Sequence, residues 1–224
     1  MKQRWQSEVK RVSGEARKLL VEYGKKLFES NMVGGTAGNL SVRVDEKLFA
    51  ITPSGMPYHE LEPEDIPILD MEGQVVEGKR KPSIEFRLHM EIYRNFSDVH
   101  AVVHAHPIYC SVLSILRLPL PALNETMLLY TVHVPVSEYA NSGTEQLAKN
   151  VVEAMKKSKA VIMANHGLVC AAESLKKAFD MCETIERTAK VYVLALSTGR
   201  TIYTIDEQSA LEAMEFLRKN YGQR

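Results

Sequence analysis

Two histidines in an apolar segment, His104 and His106, are the first candidates for chemistry in this sequence. The surrounding segment AVVHAHP is rich in residues that favour β-strands. Side chains two positions apart in a strand point to the same face, so both imidazoles can reach one metal ion. A histidine in an apolar strand is more often a core residue with a local partner, so a metal site at this spacing requires a third ligand.

His166 is the candidate for the third ligand. It lies in the sequence Ala-Asn-His-Gly between two apolar segments, where a turn would present it at the end of a sheet. Three imidazoles leave the fourth position of zinc open, which is typical of a catalytic site and not of a structural one. The pattern therefore predicts a catalytic metal centre, with zinc as the first choice and other divalent ions as alternatives.

Glu85 is the carboxylate that we add to this cluster, because it lies in the predicted first turn of a helix that precedes the histidine strand. It could be a metal ligand or a base that moves a proton. The alternative interpretation is a glutamate that interacts with the helix dipole. We interpret the remaining histidines as surface or helix-face residues, although His100 shares the alternation of the histidine strand and could lie near the site: His59, His89, His100 and His133.

Two loops and one helix start concentrate small hydroxyl residues and glycine. They are the segments TAGNLS (residues 36–41) and TPSG (residues 52–55), and Ser83, which we predict to be the N-cap of a helix. Such loops can direct backbone N–H groups at a phosphate without any net positive charge, and a helix N-terminus favours an anion. Turn chemistry explains each segment equally well on its own.

An α/β scaffold is predicted to position these residues. Apolar spacings of three and four predict helices at about residues 7–30, 83–96, 107–115, 143–157, 173–196 and 206–220. Alternating or short apolar segments predict strands at about residues 39–44, 48–52, 66–71, 101–107, 131–134, 160–164 and 167–171. Interleaved strands and helices, without a flexible linker or repeat, predict one layered α/β domain over residues 1–224 with helices on both faces of a sheet.

Composition limits the possible classes of function. The 28 Lys and Arg residues balance the 28 Asp and Glu residues, so no overall field would attract nucleic acid or an anionic membrane. The first twenty residues are charged throughout, and the expectation is a soluble, cytoplasmic protein. The dinucleotide-binding and P-loop motifs do not occur. Three widely spaced cysteines, Cys110, Cys170 and Cys182, are predicted to be buried free thiols.

The segments GTAGNLSVRV, ITPSGMPYHEL, KPSIEFRLHMEIYR, AVVHAHPIYCSVLSI, SEYANSGT and ANHGL together resemble the class II aldolase and adducin family nearly end to end. The resemblance implies a three-layer α/β/α fold with a central mixed, largely antiparallel sheet. It implies one zinc ion per subunit, held by His104, His106 and His166. It also implies a homotetramer whose active sites lie at subunit interfaces.

The motifs are most similar to those of family members that cleave a ketose 1-phosphate, such as L-fuculose 1-phosphate, into dihydroxyacetone phosphate and an aldehyde such as lactaldehyde. By this resemblance, zinc stabilises an enediolate formed from the sugar phosphate. Glu85 is a ligand of the resting metal and also the base that moves the C3 proton, while Tyr221 assists catalysis. The implied phosphate pocket consists of Thr36, Gly38, Asn39, Ser54, Gly55 and Ser83.

Two positions depart from the aldolase pattern, both where those enzymes present residues from a neighbouring subunit. Glu125 follows the segment PALN in place of a proton-donating tyrosine, and Ser142 replaces an aromatic residue. Glu125 matches the catalytic glutamate of a family dehydratase that acts on methylthioribulose 1-phosphate. A dehydratase or a sugar-acid phosphate decarboxylase is therefore the alternative to an aldolase. A non-enzymatic, adducin-like module is the least favoured, because the histidines and Glu85 are all present.

Overall fold

One mixed sheet organises residues 2–222, which this computed structural model describes, with side chains described from Arg11 onward. Its strands are β1 (Asn39–Arg43), β2 (Leu48–Ile51), β3 (Ile68–Asp70), β4 (Val75–Glu77), β5 (Ala101–Ala105), β6 (Val136–Ser137), β7 (Ala160–Met163) and β8 (Gly167–Ala172). The order across the sheet is β4-β3-β2-β1-β5-β8-β7-β6. All neighbouring strands are antiparallel except β6 and β7, which are parallel.

Helices cover both faces of this sheet. They are α1 (Lys2–Glu29), α2 (Phe86–Asn95), α3 (Ile108–Leu116), α4 (Glu145–Met155), α5 (Leu175–Ser197) and α6 (Glu207–Asn220). Helices α1, α3 and α5 pack on one face, while α2 and α4 pack together on the other. Val103 of β5 belongs to the first core and Val102 to the second, as strand alternation requires. The three-layer α/β/α arrangement expected from the sequence is confirmed.

The start of α2 differs from the prediction, and the difference frees a side chain. Ser83 is not the N-cap, because the helix begins at Phe86 and Glu85 occupies the capping position. The Ser83 carbonyl accepts the N–H of Phe86 at 3.1 Å, and its hydroxyl oxygen accepts the N–H of Glu85 at 3.3 Å. This turn occupies the residues that were expected to form the first helical turn. The Glu85 side chain makes no capping bond and can point elsewhere.

Two strand predictions were wrong for local reasons. Edge strand β4 was missed, because its three residues are all exposed and show no alternation. The strand expected at residues 131–134 does not form, and the two-residue strand β6 follows it instead. The Thr131 hydroxyl donates to the His133 carbonyl at 2.7 Å, a local bond that competes with strand pairing.

The three cysteines are buried and free, as the sequence predicted: Cys110, Cys170 and Cys182. Burial raises the pKa values of the Cys110 and Cys170 thiols well above the usual range, so both stay protonated. Within residues 2–222, no helix is both long enough and apolar enough to cross a membrane.

Candidate metal centre

Three histidines converge at one end of the sheet. His104 lies in β5, His106 follows the end of that strand, and His166 lies in the loop between β7 and β8. Their ring centroids are 4.8 to 5.1 Å apart, and the Nε2 atoms of His104 and His106 are 2.9 Å apart. One ligand nitrogen from each ring lies within 4.8 Å of the others. The structure thus brings together the three residues that strand alternation and the Asn-His-Gly turn singled out.

The loop before β8 fixes the position of His166. Asn165 has a positive φ of 50°, in the left-handed region that asparagine tolerates better than most residues. The N–H of His166 donates to the Met163 carbonyl at 3.0 Å, which closes a short hairpin loop. Gly167 then pairs with Met163 as β8 begins. A short, hydrogen-bonded loop therefore holds the third imidazole beside the first two.

Gly167 leaves no room for a side chain. A Cβ there would clash with the Ala105 carbonyl oxygen and would lie 2.8 Å from Cδ2 of His106. We expect Gly167→Ala to destabilise the protein by about 1–3 kcal/mol and to weaken the binding of any divalent metal at the three histidines, with zinc as the probe, because the strand and the His106 ring must shift. Denaturant unfolding and zinc titration would measure the two effects. Gly14→Ala, where a Cβ would meet no atom within 4 Å, is the control; unchanged zinc affinity in Gly167→Ala would contradict this account.

Glu85 reaches two of the three histidines from a different element. Its Oε2 lies 3.0 Å from Nε2 of His104, and its Oε1 lies 3.4 Å from Nε2 of His166. The residue is buried, and Oε1 has no hydrogen-bond partner among the residues whose side chains are described. A buried carboxylate oxygen without a bond is costly, so this atom is suited to a ligand.

Charge and burial oppose each other in this cluster. Burial favours a protonated Glu85, but the charge and hydrogen bond of His104 hold the Glu85 pKa well below its usual range. Burial also opposes a charged His104, but the Glu85 carboxylate raises the pKa of His104. Burial and the charge on His104 lower the pKa of His106 to about 3 and that of His166 to about 4. His106 and His166 are therefore neutral, and His104 shares a proton with the Glu85 carboxylate that it faces.

This donor set fits a divalent cation. Ligands about 2.0–2.1 Å from a tetrahedral zinc ion are about 3.3 Å apart, and the 2.9, 3.0 and 3.4 Å separations measured here are close to that value. Nδ1 of His104 lies 3.0 Å from the Leu168 carbonyl oxygen and can donate to it, which leaves Nε2 free as a ligand. Metal-binding histidines commonly make such an orienting bond. The three histidines could bind a metal, with Glu85 as a fourth ligand.

All of the residues predicted to bind phosphate line one cavity beside the histidines. The cavity has a volume of about 270 Å³ and is also lined by Glu85, His106 and His166. Its loop residues include Thr36, Gly38, Asn39, Ser54, Gly55 and Ser83. Gly38 has a φ of 75°, and a Cβ there would lie 2.8 Å from the His104 carbonyl oxygen. Glycine thus allows this loop to approach the histidine strand closely.

Glu125 and Tyr221 lie outside this cavity. Glu125 is exposed, and Tyr221 is 69% exposed and lines a separate cavity of about 490 Å³ with Leu129 and Tyr130. A single chain, over residues 2–222, therefore does not bring either residue to the histidines.

Two further residues lie elsewhere than expected. Ser142 lines the histidine cavity of its own chain. The neighbouring Gly143 lies close to the loop before α2, where a Cβ would be 2.9 Å from the Ile84 carbonyl oxygen. His100 is exposed and precedes β5, at the opposite end of that strand from His104. The suggestion that His100 lies near the site was therefore wrong, because strand alternation gives the face but not the distance along the strand.

Sequence analysis missed a buried group behind Glu85. His89, interpreted as a surface or helix-face residue, is fully buried, with Nε2 2.5 Å from Oδ1 of Asn39 and Nδ1 2.6 Å from the Ser41 hydroxyl. Asn39 in turn donates from Nδ2 to Oε2 of Glu85 at 3.1 Å. The available signal was the spacing of four between Glu85 and His89 and the spacing of two between Asn39 and Ser41, which place each pair on one face.

Known proteins match this chain over most of its length. A family model described as the class II aldolase and adducin N-terminal domain matches residues 18–193. A 5-deoxy-D-ribulose 1-phosphate aldolase of Bacillus thuringiensis serovar kurstaki is 38% identical over 93% of this chain and 97% of its own length. An L-fuculose phosphate aldolase of Haemophilus influenzae is 40% identical over 78% of this chain and 80% of its own.

Solved structures give the same result. The structure of an L-fuculose 1-phosphate aldolase superposes with a TM-score of 0.87 at 40% identity. The match covers 91% of this chain and 96% of that protein. Both the sequence and the arrangement of the sheet and helices are therefore shared with these proteins.

Proposed function

This chain belongs to the class II aldolase and adducin family, and we propose that it is a zinc-dependent aldolase that cleaves a ketose 1-phosphate to dihydroxyacetone phosphate and an aldehyde. The observation that carries the proposal is the cluster of three imidazoles and one buried carboxylate at the wall of a cavity lined by small polar loops. A ketose 1-phosphate has two features that suit such a cavity. Its phosphate can be bound by the polar loops, and its adjacent oxygens at C2 and C3 can be bound by a cation at the histidines.

His104, His106 and His166 would hold the cation, with Glu85 as a further ligand before substrate binds. When bound, the cation supplies a Lewis acid that stabilises negative charge on the substrate oxygens at C2 and C3. The donor set alone does not select zinc, since imidazole also suits other divalent ions. Three imidazoles with an open position are nevertheless typical of catalytic zinc.

Glu85 would move the proton at C3. In the cleavage direction the C4 hydroxyl loses its proton, the C3–C4 bond breaks, and its electron pair stays with the C2–C3 unit. Glu85 takes up one proton from solvent and delivers it to C3, which completes dihydroxyacetone phosphate, while C4 leaves as the aldehyde carbon. The proton taken from the C4 hydroxyl returns to solvent, so the protons balance over one turnover. The buried position of Glu85 between His104 and His166 supports this role, because a base must lie within bonding distance of the reacting carbon.

The loops would bind the phosphate through backbone N–H groups and hydroxyls. Thr36, Gly38, Asn39, Ser54, Gly55 and Ser83 are the residues that we propose for this pocket. Gly55 has a positive φ of 69°, a conformation common in loops that turn successive N–H groups towards an anion. Asn39 would contribute through its backbone, because its side chain is bonded to Glu85 and His89.

A neighbouring subunit would complete the site. We propose a homotetramer in which Tyr221 or Glu125 of one subunit reaches the cavity of another and takes the C4 hydroxyl proton. The exposure of both side chains supports this assignment, since a residue that serves the site of a neighbouring subunit must be accessible at the surface of its own subunit. The zinc site itself is complete within one chain.

The two relatives named above suggest the substrate class. L-Fuculose 1-phosphate and 5-deoxy-D-ribulose 1-phosphate both carry a terminal methyl group opposite the phosphate. Cleavage at C3–C4 would release lactaldehyde from the first and acetaldehyde from the second. We therefore propose a deoxyketose 1-phosphate as substrate.

The test is turnover of a panel of ketose 1-phosphates by the zinc-loaded protein. The panel contains L-fuculose 1-phosphate, 5-deoxy-D-ribulose 1-phosphate, ribulose 1-phosphate and 5-methylthioribulose 1-phosphate, and a reductase couple detects dihydroxyacetone phosphate. We expect metal-dependent release, fastest for a deoxyketose. Consumption of a ketose 1-phosphate with loss of water, and no dihydroxyacetone phosphate, would instead favour the dehydratase alternative that Glu125 suggests. A 3-oxo sugar-acid phosphate is added to the panel as well, and release of carbon dioxide from it would favour the decarboxylase alternative.

A further inference from the structure

A buried chain of polar side chains leads away from Glu85 into the core. Oε2 of Glu85 accepts from Nδ2 of Asn39 at 3.1 Å, and Oδ1 of Asn39 lies 2.5 Å from Nε2 of His89. Nδ1 of His89 lies 2.6 Å from the Ser41 hydroxyl, which lies 2.7 Å from the Tyr93 hydroxyl. All five residues are buried, and we call them the polar chain.

Two elements with matched spacing build the polar chain. Glu85, His89 and Tyr93 are four residues apart at and after the start of α2, so they lie along one face of the helix. Asn39 and Ser41 are two apart in β1 and share one face of the sheet. Asn39 pairs directly with His104 in β5, which places the polar chain beside a metal-site histidine.

The hydrogen-bond partners along the polar chain allow one consistent order of donors and acceptors. Burial raises the pKa of the Tyr93 phenol, so its hydroxyl keeps a proton to donate to Ser41. Burial also lowers the pKa of His89 to about 3, so its ring is neutral and has one N–H and one acceptor nitrogen. If Ser41 accepts a hydrogen bond from the Tyr93 hydroxyl, its own hydroxyl donates to Nδ1 of His89. The N–H of His89 then lies on Nε2 and donates to Oδ1 of Asn39.

The other end of the polar chain requires the same direction. The Nδ2 group of Asn39 donates to Oε2 of Glu85, so the carbonyl oxygen of the same amide faces Nε2 of His89. A donor on Nε2 of His89 fits that orientation, whereas a lone pair there would face another lone pair. The order of donors and acceptors is thus consistent from Tyr93 to Glu85.

We propose that His89 is a positioning residue that aims the Asn39 amide at Glu85 and so holds the carboxylate beside the metal-site histidines. His89 touches neither the histidines nor the cavity. Its effect passes through Asn39, whose side chain would otherwise have a buried carbonyl without a donor. The kinetic test of this inference rests on the proposed function, whereas the test of the His89 tautomer does not.

The first experiment determines the tautomer of His89 and needs no activity. Long-range proton–nitrogen NMR spectra of the protein labelled with ¹⁵N-histidine distinguish a proton on Nε2 from one on Nδ1, and the spectrum of His89→Gln identifies the His89 signals. We expect neutral His89 with its proton on Nε2 near pH 7. A proton on Nδ1 would overturn the proposal, whatever reaction the protein catalyses.

The second experiment measures steady-state kinetics and zinc content. His89→Leu removes both polar atoms, and we expect kcat to fall by about 10- to 100-fold, with KM and zinc content unchanged, as when partners of a metal site are removed. His89→Gln keeps a donor for Asn39 and an acceptor for Ser41 and should recover most of kcat. If His89→Leu does not fold, Ser41→Ala, which removes the donor to Nδ1, should lower kcat in the same way.

A matched control separates positioning from stability. Ser158 and Thr131 form another buried bond of 2.9 Å, and Ser158 precedes β7 at the end opposite His166. Ser158→Ala should lower stability and leave kcat unchanged. Equal kcat in His89→Leu and the unaltered protein, or equal losses in His89→Leu and His89→Gln, would overturn the proposal. Absence of turnover by the unaltered protein would instead refute the proposed function, and the tautomer would still test His89.

Discussion

Glu85→Gln is expected to lower kcat for release of dihydroxyacetone phosphate by about 100- to 10,000-fold, the usual contribution of a general acid or base. Glutamine has nearly the same shape and can still receive the Asn39 amide bond through its carbonyl oxygen. It cannot deliver a proton to C3 as a carboxylic acid does. The change therefore removes the proposed proton transfer while it preserves most of the packing.

Binding measurements separate this effect from damage to the site. The affinity for dihydroxyacetone phosphate should change little, because glutamine can keep the bond from Asn39 that joins residue 85 to the phosphate loops. A matched control is Glu91→Gln on the exposed side of α2, where Glu91 pairs with Arg94 at the surface. A Glu85→Gln protein with normal kcat would show that another residue moves the C3 proton.

His166→Ala is expected to abolish both high-affinity zinc binding and turnover. The substitution removes one of three imidazoles. It also removes the ring that lies 3.4 Å from Oε1 of Glu85, a buried atom without a hydrogen bond among the described side chains. Turnover should disappear with the cation, because the stabilisation of charge by a bound metal is worth on the order of several kcal/mol. Zinc content of the purified protein and a competition titration would measure the loss.

His59→Ala provides the matched control for this variant. His59 is an exposed histidine whose ring lies near Phe28 and Glu60, far along the chain from the cluster. Its removal should leave zinc content and kcat unchanged. If His166→Ala kept zinc at the affinity of the unaltered protein, His166 would not be a ligand, and the centre would have to be assigned differently.

The histidine cluster could be predicted because it depends on local geometry. Strand alternation aligned His104 with His106, and an Asn-His-Gly turn between two apolar segments presented His166 at the same sheet end. Glu85 was selected for its place before the histidine strand. Its contact with His104 depends on the turn at Ser83, because of which α2 begins only at Phe86. The sequence did not predict this turn.

The polar chain could not be predicted with the same method, because it depends on the register of α2 over the sheet. The spacing of Glu85, His89 and Tyr93 shows that they share a helix face, but it does not say what that face contacts. Placing His89 opposite Asn39 and Ser41 requires the packing of a helix on a strand distant in sequence. The local sequence pattern of α2 therefore predicts neither the burial of His89 nor its hydrogen-bond partners in β1.

The roles of Glu125 and Tyr221 remain a prediction for a related reason. Both came from resemblance, and both lie outside the histidine cavity of their own chain, so the proposal has them serve the active site of another subunit. Their positions in one chain are consistent with exposure at an interface. Sequence patterns in one chain do not predict how two subunits pack against each other, so these assignments depend on the structure of the assembly.

The central claim is tested most directly by the exchange of hydrogen for deuterium at C3 of dihydroxyacetone phosphate in heavy water, monitored by NMR. The experiment needs no knowledge of the aldehyde partner, and it isolates the proton transfer that the metal centre and Glu85 would perform. We predict that the zinc-loaded protein exchanges one of the two C3 hydrogens and that chelation of the metal stops the exchange. Absence of exchange by the zinc-loaded protein, or equal exchange after chelation, would contradict the assignment of this site to a metal-dependent aldolase.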